Sequence, residues 1–489
     1  MIGHSLIPKP QEFKFTEGGK SWAERLTIRI PDEWSELLGV VVFPIFERSE
    51  SESSEVLVLI DEMQPKSGYQ IELGEACIIK ASDYSGALYA LISLGQLMAD
   101  GWKSATLRDW PSFSWRGVHL DVSRHFFPIS TIERFLDLML EHKLNKLHLH
   151  LNDDQGWRVE IPNKPLLTEI GSRRDSSPVG HEDDKNINDG IEHGGFYTAA
   201  ELINLREYAA ARGIEIIPEI DLPGHAQAVL AAYPELGNSK LPLDVWNRWG
   251  ISEHVLNVSE TALQFAEEVV LYVASLFPES AFHIGGDECP ISEWEASDQA
   301  KLVMREKGFT SVHQLQSLFT NRLNSALQGA GHLVIAWDEV LDNELPKDLV
   351  IMAWRGTEKG IQAAELGHDV VMAPMDYLYL DWANSANAFE PVAQTRPPFA
   401  TTWERVYSFP LIPDALPTTS HGRILGAQAQ LWTEYIKNQD ELDYMAFPRL
   451  CAFSETVWGT ATESSAFKVR LLAHVERHRS LNVNFREID

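Results

Sequence analysis

Two adjacent carboxylates, Asp287 and Glu288, are the residues whose placement in this chain most suggests chemistry. They follow a short apolar run and two glycines in the segment AFHIGGDE (281–288). The apolar run predicts a buried strand of a parallel sheet, and the glycines let backbone or a ligand come close. Neighbouring residues at a strand end point in different directions, so each carboxylate can have its own task. We therefore predict an acid/base site just beyond this strand, in which the two carboxylates need not share one proton.

Polar and aromatic side chains also follow seven other apolar runs of similar length. Sites in barrels of alternating strands and helices collect at the carboxyl ends of the strands. The residues concerned are Asp121, Arg124 and His125; His148, His150, Asp153, Asp154 and Trp157; Glu219, Asp221 and His225; His283 with Asp287 and Glu288; Trp337, Asp338 and Glu339; Trp354 and Arg355; Asp376, Tyr377, Tyr379, Asp381 and Trp382; and Gln430, Trp432 and Glu434. Together these groups predict one common site.

Two chemistries fit this collection. His148 and His150 share one face of a strand, and with His225, His283 and nearby carboxylates they could hold a divalent metal ion. Alternatively, carboxylates supply the acid and the charge stabilisation for cleaving a glycosidic bond, while tryptophans form walls against a sugar ring. The chain has 15 tryptophans, several of them at strand ends, and a metal pocket has no need of indoles. Sugar cleavage is therefore favoured, with His148 and His150 as core or supporting groups.

Alternating strand and helix patterns position these residues. The predicted strands are 117–122, 145–151, 214–225 with its loop, 281–288, 332–339, 349–354, 369–374 and 424–432. Capping boxes at Ser130–Glu133 and Thr198–Glu201 predict the starts of two helices, and a polar segment at about 171–195 predicts a surface excursion. This alternation indicates a (β/α)8 TIM barrel. A doubly wound open sheet is the competitor, but the glycine-rich dinucleotide fingerprint is missing after the first strand.

The first part of the chain has a different pattern. Short strand-like runs at 26–30 and 56–60 and a helical pattern at 85–100 predict a small α+β domain. No catalytic constellation is visible there. We therefore divide the chain into a small N-terminal α+β domain, residues 1–112, and a (β/α)8 barrel catalytic domain, residues 113–489.

Length and composition limit the class of protein. The 489 residues suffice for two or three domains, and the net charge of −30 argues against nucleic acid and anionic membranes as partners. No apolar run approaches the roughly 20 residues that span a bilayer, and the first residues lack the apolar core of a signal peptide. Unless a leader has been removed, a cytoplasmic location is expected. Cys77, Cys289 and Cys451 are far apart, which predicts neither a disulfide framework nor a clustered zinc site.

Seven strings occur in the order of a known family: RGVHLDVSRHFF, HLHLNDDQGW, EIDLPGH, HIGGDE, AWDE, YLD and AQLWTE. From about Trp115 to Gly459 the chain resembles the β-N-acetylhexosaminidases of glycoside hydrolase family 20. The opening string SLIPKPQEF also resembles the small domain that precedes such barrels. The resemblance implies release of terminal, non-reducing N-acetylglucosamine or N-acetylgalactosamine from β-linkages. It implies a small oligosaccharide or glycan as substrate, and neither a cofactor nor a metal.

The resemblance also implies a mechanism, in which the substrate's 2-acetamido oxygen attacks the anomeric carbon and the configuration is retained. Glu288 would be the general acid and then the base, while Asp287 would hold the acetamido N–H and stabilise the oxazolinium. Tyr379 would donate to the acetamido oxygen. The other implied site residues are Asp153 and His225, which tune Glu288; Arg124, Glu434 and Asp381 at the ring hydroxyls; Trp337, Trp354 and Trp432 around the acetamido methyl and sugar ring; and Asp221, which supports the wall.

Some alternatives stay open from the sequence. A further wall tryptophan is common after the seventh strand, and Trp382 and Trp403 both fit that place. The rival functions are an inactive barrel that binds amino sugars, against which the intact Asp287–Glu288 pair argues, and a metal-dependent amidohydrolase. Closure of the pocket by the loops at 171–195 and 381–420 decides between release of one sugar and of a disaccharide. The sequence predicts neither the natural substrate, nor gluco over galacto preference, nor an oligomeric state.

Overall fold

A closed barrel of eight parallel strands forms the larger part of this computed structural model, and a seven-stranded sheet precedes it. The structure describes residues 5–41, 45–101, 103–184, 187–239, 242–342 and 345–488. The barrel and the preceding sheet confirm the predicted fold class, a TIM barrel after a small α+β domain. The division of the chain at residue 112 stays a prediction.

The N-terminal sheet is mixed and packs against one long helix. Its strands are β1 (Glu12–Phe15), β2 (Arg25–Arg29), β3 (Ile45–Arg48), β4 (Val56–Ile60), β5 (Tyr69–Leu73), β6 (Cys77–Ala81) and β7 (Ala105–Asp109), in the spatial order β1-β7-β5-β6-β4-β2-β3. The helices are α1 (Leu37–Val40) and α2 (Tyr84–Ala99). The Asp83 side chain accepts a hydrogen bond from the Gly86 N–H and caps α2, whose residues 86–97 are buried.

The barrel strands follow one another around the barrel in chain order, with short antiparallel pairs inserted after the second strand. The strands are β8 (Trp115–Asp121), β9 (Lys146–His150), then the inserted β10 (Asn152–Asp153), β11 (Gly156–Trp157), β12 (Arg173–Arg174), β13 (Pro178–Val179), β14 (Ile187–Asn188) and β15 (His193–Gly194), then β16 (Glu215–Glu219), β17 (Phe282–His283), β18 (Val334–Trp337), β19 (Val350–Ala353), β20 (Val370–Met372) and β21 (Ile424–Leu431). β21 pairs with β8 in parallel and closes the barrel.

Helices lie between the barrel strands and after the last of them. They are α3 (Ile129–Glu141), α4 (Leu166–Glu169), α5 (Ala199–Ala211), α6 (Gln227–Ala232), α7 (Glu260–Leu276), α8 (Ser292–Ala296), α9 (Asp298–Lys307), α10 (Gln316–Gly329), α11 (Thr357–Glu365), α12 (Met375–Leu378), α13 (Trp403–Tyr407), α14 (Gln439–Ala446), α15 (Arg449–Trp458) and α16 (Ser464–Ser480). Short 3-10 helices cover Asp32–Trp34, Pro234–Leu236, Val312–Leu315, Asp338–Asp342 and Thr418–Arg423. No described helix is both long enough and apolar enough to cross a bilayer.

Side chains on the barrel strands alternate between the interior and the surrounding helices. On β9, Leu147 and Leu149 join the apolar layer under the helices, and His148 and His150 between them reach Glu219 inside the barrel. Towards the amino-terminal end, the interior is filled by apolar side chains that include Trp115 and Val350. The polar interior residues therefore gather near the carboxyl ends of the strands, where the predicted site lies.

A buried ionic contact joins the N-terminal sheet to the barrel. Asp109, at the end of β7, accepts from Lys143 Nζ at 2.8 Å, from the Tyr69 hydroxyl at 2.7 Å and from Trp458 Nε1 at 2.7 Å. Lys143 and Asp109 are almost fully buried, so each charge needs the other. The two parts of the chain are thereby held in one arrangement beneath the barrel.

One of the two predicted capping boxes is present. Thr198 and Glu201 form the reciprocal box at the start of α5, as predicted. The box predicted at Ser130 and Glu133 is wrong, because α3 begins at Ile129 after Pro128 and no side chain caps it. The fixed φ of proline suits the first turn of a helix and starts α3 earlier than the serine would. The polar segment at 171–195 contains the paired strands β12 to β15, and residues 185 and 186 lie outside the described part.

Candidate functional site

A cavity of about 380 Å³ opens at the carboxyl ends of the barrel strands. Eight of the twelve predicted site residues line it: Arg124, Asp287, Glu288, Trp354, Tyr379, Asp381, Trp432 and Glu434. Asp153, Asp221, His225 and Trp337 do not line the cavity. These four residues contact residues that do: His225 lies beside Glu288, Asp153 pairs with Arg124, Asp221 lies close to Asp287, and the Trp337 ring lies near that of Trp432.

The backbone at the end of β17 has an uncommon conformation that delivers the two carboxylates. Gly285 and Gly286 have φ of 64° and 98°, and Glu288, with φ of 44°, is also left-handed. A Cβ atom on Gly285 would lie 1.9 Å from Asp221 Oδ1, so no larger residue fits there. His225 has φ of 45° as well. Non-glycine residues rarely adopt this conformation, and it concentrates at functional sites.

Asp287 is held against a second buried carboxyl group, Asp221. Asp221 Oδ1 accepts from the Gly286 N–H at 2.8 Å, and one oxygen of the Asp221 carboxyl lies within 4.8 Å of one oxygen of Asp287. Burial raises the pKa of Asp221 to about 7, and burial together with the charge of Asp221 raises the pKa of Asp287 well above its usual range. Both shifts favour retention of a proton by the pair near neutral pH.

His225 lies between Asp153 and the two site carboxylates. Its Nδ1 is 3.2 Å from Asp153 Oδ1, and its Nε2 is 3.7 Å from Glu288 Oε2 and 3.8 Å from Asp287 Oδ2. Burial disfavours the charged imidazole, but Asp153 outweighs this effect, so the net pKa of His225 is raised well above its usual range. Asp153, although buried, has a pKa held well below its usual range by the Arg124 guanidinium and by His225. A negatively charged Asp153 therefore holds a positively charged His225, and the far side of that imidazole faces Glu288.

Arg124 is fixed by four partners on the wall opposite Glu288. Its guanidinium lies 2.8 Å from Asp153 Oδ2 and 3.1 Å from Asp121 Oδ2, and its Nε donates to Gln155 Oε1 at 3.0 Å. Glu434 Oε1 lies 3.6 Å away. A planar guanidinium held in this way is a preorganised donor for hydroxyl oxygens.

Aromatic side chains form the remaining wall. Trp354 and Tyr379 stack with ring centroids 6.0 Å apart, and the Trp432 ring lies under the Arg124 guanidinium at 4.9 Å. Trp337 is 1% exposed and lies below the cavity, with its ring 6.0 Å from that of Trp432. Burial raises the pKa of Tyr379 well above its usual range, so its hydroxyl keeps its proton.

Asp381 and Glu434 are the two further carboxylates of the cavity wall. Burial and their mutual repulsion raise the pKa of Asp381, and burial, partly offset by Arg124, raises that of Glu434. Within the described residues, Asp381 Oδ1, Glu434 Oε2 and Asp287 Oδ1 are buried oxygens without a hydrogen-bond partner. Buried acceptors of this kind are normally satisfied, which marks three positions where a ligand's O–H or N–H groups fit.

The structure distinguishes the two candidate tryptophans after the seventh strand. Trp382 is half-buried and lines the cavity. Trp403 belongs to α13, is buried, and packs with its ring 5.7 Å from that of Phe467. Only Trp382 can contact a ligand in this cavity.

Two supporting carboxylates had no role in the sequence-based assignment. Glu219 accepts from Trp337 Nε1 at 2.8 Å and pairs with His283 Nδ1 at 2.9 Å, with His148 Nε2 at 3.1 Å and with His150 Nδ1. Glu339 accepts from the Trp354 indole N–H, and burial raises its pKa to about 8. Glu219 and Glu339 both follow predicted strands in the sequence. The sequence does not predict which tryptophan indole each carboxylate binds.

The histidines first considered as metal ligands already have partners. His150 Nε2 is 2.8 Å from Asp153 Oδ2, and its Nδ1 contacts Glu219, so both ring nitrogens are occupied. His148 and His283 each direct one nitrogen to Glu219. These side chains can hold Glu219 charged and in place, which agrees with their expected supporting role.

Comparison with known proteins decides the family. The family model described as glycosyl hydrolase family 20, catalytic domain, matches residues 113–461. The chain belongs to glycosyl hydrolase family 20. It is 38% identical over 387 residues to a β-hexosaminidase of Porphyromonas gingivalis, a match that covers 76% of this chain and 48% of that protein. The chain thus spans about half the length of that relative.

Two further proteins match over nearly the whole chain. A β-hexosaminidase of Vibrio furnissii is 32% identical, with 92% of this chain and 76% of that protein covered. The crystal structure of a family 20 exo-β-N-acetylglucosaminidase from Vibrio harveyi, in complex with N-acetylglucosamine, superposes with a TM-score of 0.86 at 29% identity. That match covers 99% of this chain and 78% of the other, so it includes the N-terminal sheet.

Proposed function

We propose that this chain is a retaining exo-β-N-acetylhexosaminidase. It hydrolyses terminal, non-reducing N-acetyl-D-glucosamine or N-acetyl-D-galactosamine residues by substrate-assisted catalysis. The proposal rests on one observation. The cavity has indole walls, and among the described residues Asp287, Asp381 and Glu434 each place a buried carboxylate oxygen without a hydrogen-bond partner at it. A sugar ring presents apolar faces to indoles and its hydroxyl and amide donors to carboxylates.

Glu288 is the proposed general acid and base. It follows Asp287 on the left-handed turn, its side chain is 39% exposed, and it faces the cavity where a leaving group departs into solvent. His225 lies 3.7 Å away, and its contact with Asp153 keeps a positive charge on the imidazole beside Glu288. In the first step Glu288 gives its proton to the glycosidic oxygen, and in the second it takes a proton from the attacking water.

Asp287 is the proposed partner of the acetamido group. With one proton shared between Asp221 and Asp287, the remaining negative charge lets Asp287 accept from the acetamido N–H through the unpartnered Oδ1. The acetamido oxygen then bonds to the anomeric carbon as the glycosidic bond breaks, and the positive oxazolinium forms beside a fixed negative charge. Tyr379, whose proton is retained, donates to the acetamido oxygen and orients it.

Two loops that meet at the rim support action on the terminal sugar. Gln394 Nε2 donates to Glu182 Oε1 at 3.2 Å, and Arg396 forms an ion pair with Asp184. These contacts join the segments 171–195 and 381–420 across one side of the cavity mouth. A mouth closed on that side suits a terminal residue better than the middle of a chain.

The first test compares two chromogenic substrates. We expect the chain to release nitrophenol from the nitrophenyl N-acetyl-β-glucosaminide and not from the β-glucoside, because only the former carries the nucleophile. Glu288→Gln and Asp287→Asn should each lower kcat/KM by about 10²-fold or more, while Glu365→Gln, an exposed glutamate on α11, should leave it unchanged. Equal hydrolysis of the glucoside would remove the acetamide from the mechanism. Binding of the amino sugar without hydrolysis would support an inactive binding barrel.

A second test separates exo action from disaccharide release. A linear tetramer of β-linked N-acetylglucosamine should yield the monomer as its first product, and NMR of the fresh product should detect the β-anomer. A dimer as first product would contradict the closed-rim argument, and an α-anomer would contradict retention.

A further inference from the structure

Three histidines and one cysteine meet in the apolar layer outside the barrel, far from the sugar cavity. We call His142, Cys451, His474 and His478 the helical His–Cys cluster. His142 follows the end of α3, Cys451 lies on α15, and His474 and His478 are one turn apart on α16. All four are at most 2% exposed. The proposed hydrolase mechanism uses none of them.

Two of the distances between ligand atoms of the cluster are close to those of a tetrahedral metal site, and the remaining ones are short enough for a single ion to draw the ligands together. His142 Nε2 lies 3.2 Å from His474 Nε2 and 3.3 Å from Cys451 Sγ. One ligand atom from each of the four residues lies within 4.8 Å of the other three. Tetrahedral zinc, with bonds of about 2.0–2.3 Å, separates its nitrogen ligands by about 3.3 Å and nitrogen from sulfur by about 3.6 Å.

Hydrogen bonding leaves several nitrogens of the cluster without a partner. His142 Nδ1 donates to the Leu138 carbonyl at 2.7 Å, so its Nε2 is a bare lone pair that points into the cluster. That single acceptor faces two donors, His474 and Cys451. Within the described part of the chain, His474 Nδ1 and both ring nitrogens of His478 have no hydrogen-bond partner. Buried polar atoms are normally satisfied, so the protein alone leaves this cluster incomplete.

The surrounding charges permit a cation. Three arginines lie near the cluster, and each is neutralised by a carboxylate: Arg134 by Asp443 at 2.8 Å, Arg470 by Glu455 at 2.6 Å and Arg477 by Glu141 at 3.6 Å. Each of these three arginine charges therefore has an opposite charge beside it.

We propose that the helical His–Cys cluster binds one Zn²⁺ ion in a closed, tetrahedral site, with one ring nitrogen from each of His142, His474 and His478 and with Cys451 Sγ. On binding, the zinc–sulfur bond forms as the thiol gives its proton to solvent, which leaves three neutral ligands and one thiolate. The Leu138 carbonyl holds the His142 ring in the required tautomer, as outer partners of zinc-bound histidines do. Four protein ligands leave no open position, so the ion has a structural task.

That task is to join α16 and α15 to α3. The ligands come from segments more than 300 residues apart, so the ion links the end of the chain to the first barrel helix. This separation also explains why cysteine spacing gave no zinc signal in the sequence. Because the cluster is buried, zinc is expected to enter during folding and to leave only when the helices open.

The first experiment measures metal content of the full chain, purified without a histidine tag and dialysed against EDTA. About one zinc per chain is expected to remain.

The protein is then unfolded in guanidinium with chelator and refolded with Co²⁺. Tetrahedral cobalt with a thiolate ligand gives visible ligand-field bands and an ultraviolet sulfur-to-cobalt band. Refolding without metal should lower Tm relative to the zinc-refolded chain.

Variants assign the ligands. Cys451→Ser should lose the sulfur-to-cobalt band and His478→Gln should lose the bound equivalent of zinc, while Cys77→Ser, a matched buried thiol in the N-terminal sheet, should keep both. Wild-type protein that refolds fully but takes up neither zinc nor cobalt would overturn the proposal. So would a sulfur-to-cobalt band that survives in Cys451→Ser. If Cys451→Ser does not fold, the wild-type cobalt spectrum still decides, because a spectrum without a thiolate band contradicts the site.

Discussion

His225 Nε2 lies 3.7 Å from Glu288 Oε2, while Nδ1 of the same ring lies 3.2 Å from Asp153 Oδ1. The imidazole is 2% exposed and its pKa is raised, because Asp153 outweighs the effect of burial. This arrangement places a charged imidazole beside Glu288. On the proposed mechanism, His225 is a positioning residue that acts on the leaving group through Glu288.

We predict that His225→Gln impairs poor leaving groups more than good ones. A nitrophenolate leaves with little protonation, so its kcat/KM should fall less than about tenfold, whereas cleavage of a chitobiose-type linkage should fall by about 10²-fold. Kinetics on both substrates measure the difference. His332→Gln, which changes a buried histidine at the opposite end of the barrel, should affect neither. Equal losses on both substrates would assign His225 a purely structural role.

We predict that removing the charge of Asp221 raises stability at high pH and lowers activity. The folded-state pKa of Asp221 is raised by burial to about 7 from an ordinary value of 3.8. The stability linked to this group is fully present below about pH 4 and is lost as the pH rises through about 7. Asp221→Asn keeps the acceptor for the Gly286 N–H but has no proton to lose.

The Tm difference between Asp221→Asn and the wild type should therefore increase in favour of the variant from pH 4 to pH 8. The variant should at the same time lose most of its hydrolytic activity, because the proton-sharing partner of Asp287 is gone. Thermal melts across pH measure the first effect. Asp348→Asn, an exposed carboxylate outside the site, should show no such trend. A difference that shrinks as the pH rises would contradict the buried pair.

The barrel was predictable because its strands are buried on both faces and alternate with helices. All eight barrel strands lie within or near the runs expected from the sequence, although the ladders are shorter: the run 281–288 contributes only Phe282 and His283 to β17. Strand pairing ends where the glycines turn the backbone, and an apolar run does not encode that point. Most of the cavity residues were also predictable, because all parallel strands of a barrel have their carboxyl ends on the same face.

What the sequence could not predict are contacts between neighbouring strand ends. The sequence predicted separate tasks for Asp287 and Glu288, but it did not predict that the buried carboxyl beside Asp287 is Asp221, from the preceding strand. Trp337 likewise donates to Glu219, which lies two strands away in the barrel. Such pairs depend on the stagger of the strands and on side-chain rotamers, which single-sequence patterns do not contain.

Gly285 should be irreplaceable, in contrast to a glycine on a helix. A methyl group at Gly285 would lie 1.9 Å from Asp221 Oδ1, and its φ of 64° disfavours any side chain. Gly285→Ala should cost about 1–3 kcal/mol or more of unfolding free energy and displace Asp287. Gly329→Ala on α10 meets no atom within 4 Å and should be neutral or slightly stabilising. Denaturant melts and kcat/KM for both variants test this, and similar losses in the two would contradict the close approach.

Trp382 and Trp403 should respond oppositely to truncation. Trp382 lines the cavity and is half-buried, so Trp382→Ala should raise KM about 10-fold to 100-fold, as expected for about 1.5–3 kcal/mol of lost apolar contact, with little change in Tm. Trp403 is buried against Phe467, so Trp403→Ala should cost about 3–5 kcal/mol of stability and leave KM unchanged.

Each variant is thus the control for the other, and both need only KM and a thermal melt on the same preparation. Trp382→Ala removes only the indole. The Trp382 backbone carbonyl, which accepts from Arg449 at 2.8 Å, remains in the variant. A rise in KM for Trp403→Ala with none for Trp382→Ala would place the wall of the sugar site on α13. That result would require the segment 381–403 to adopt a different arrangement around the substrate.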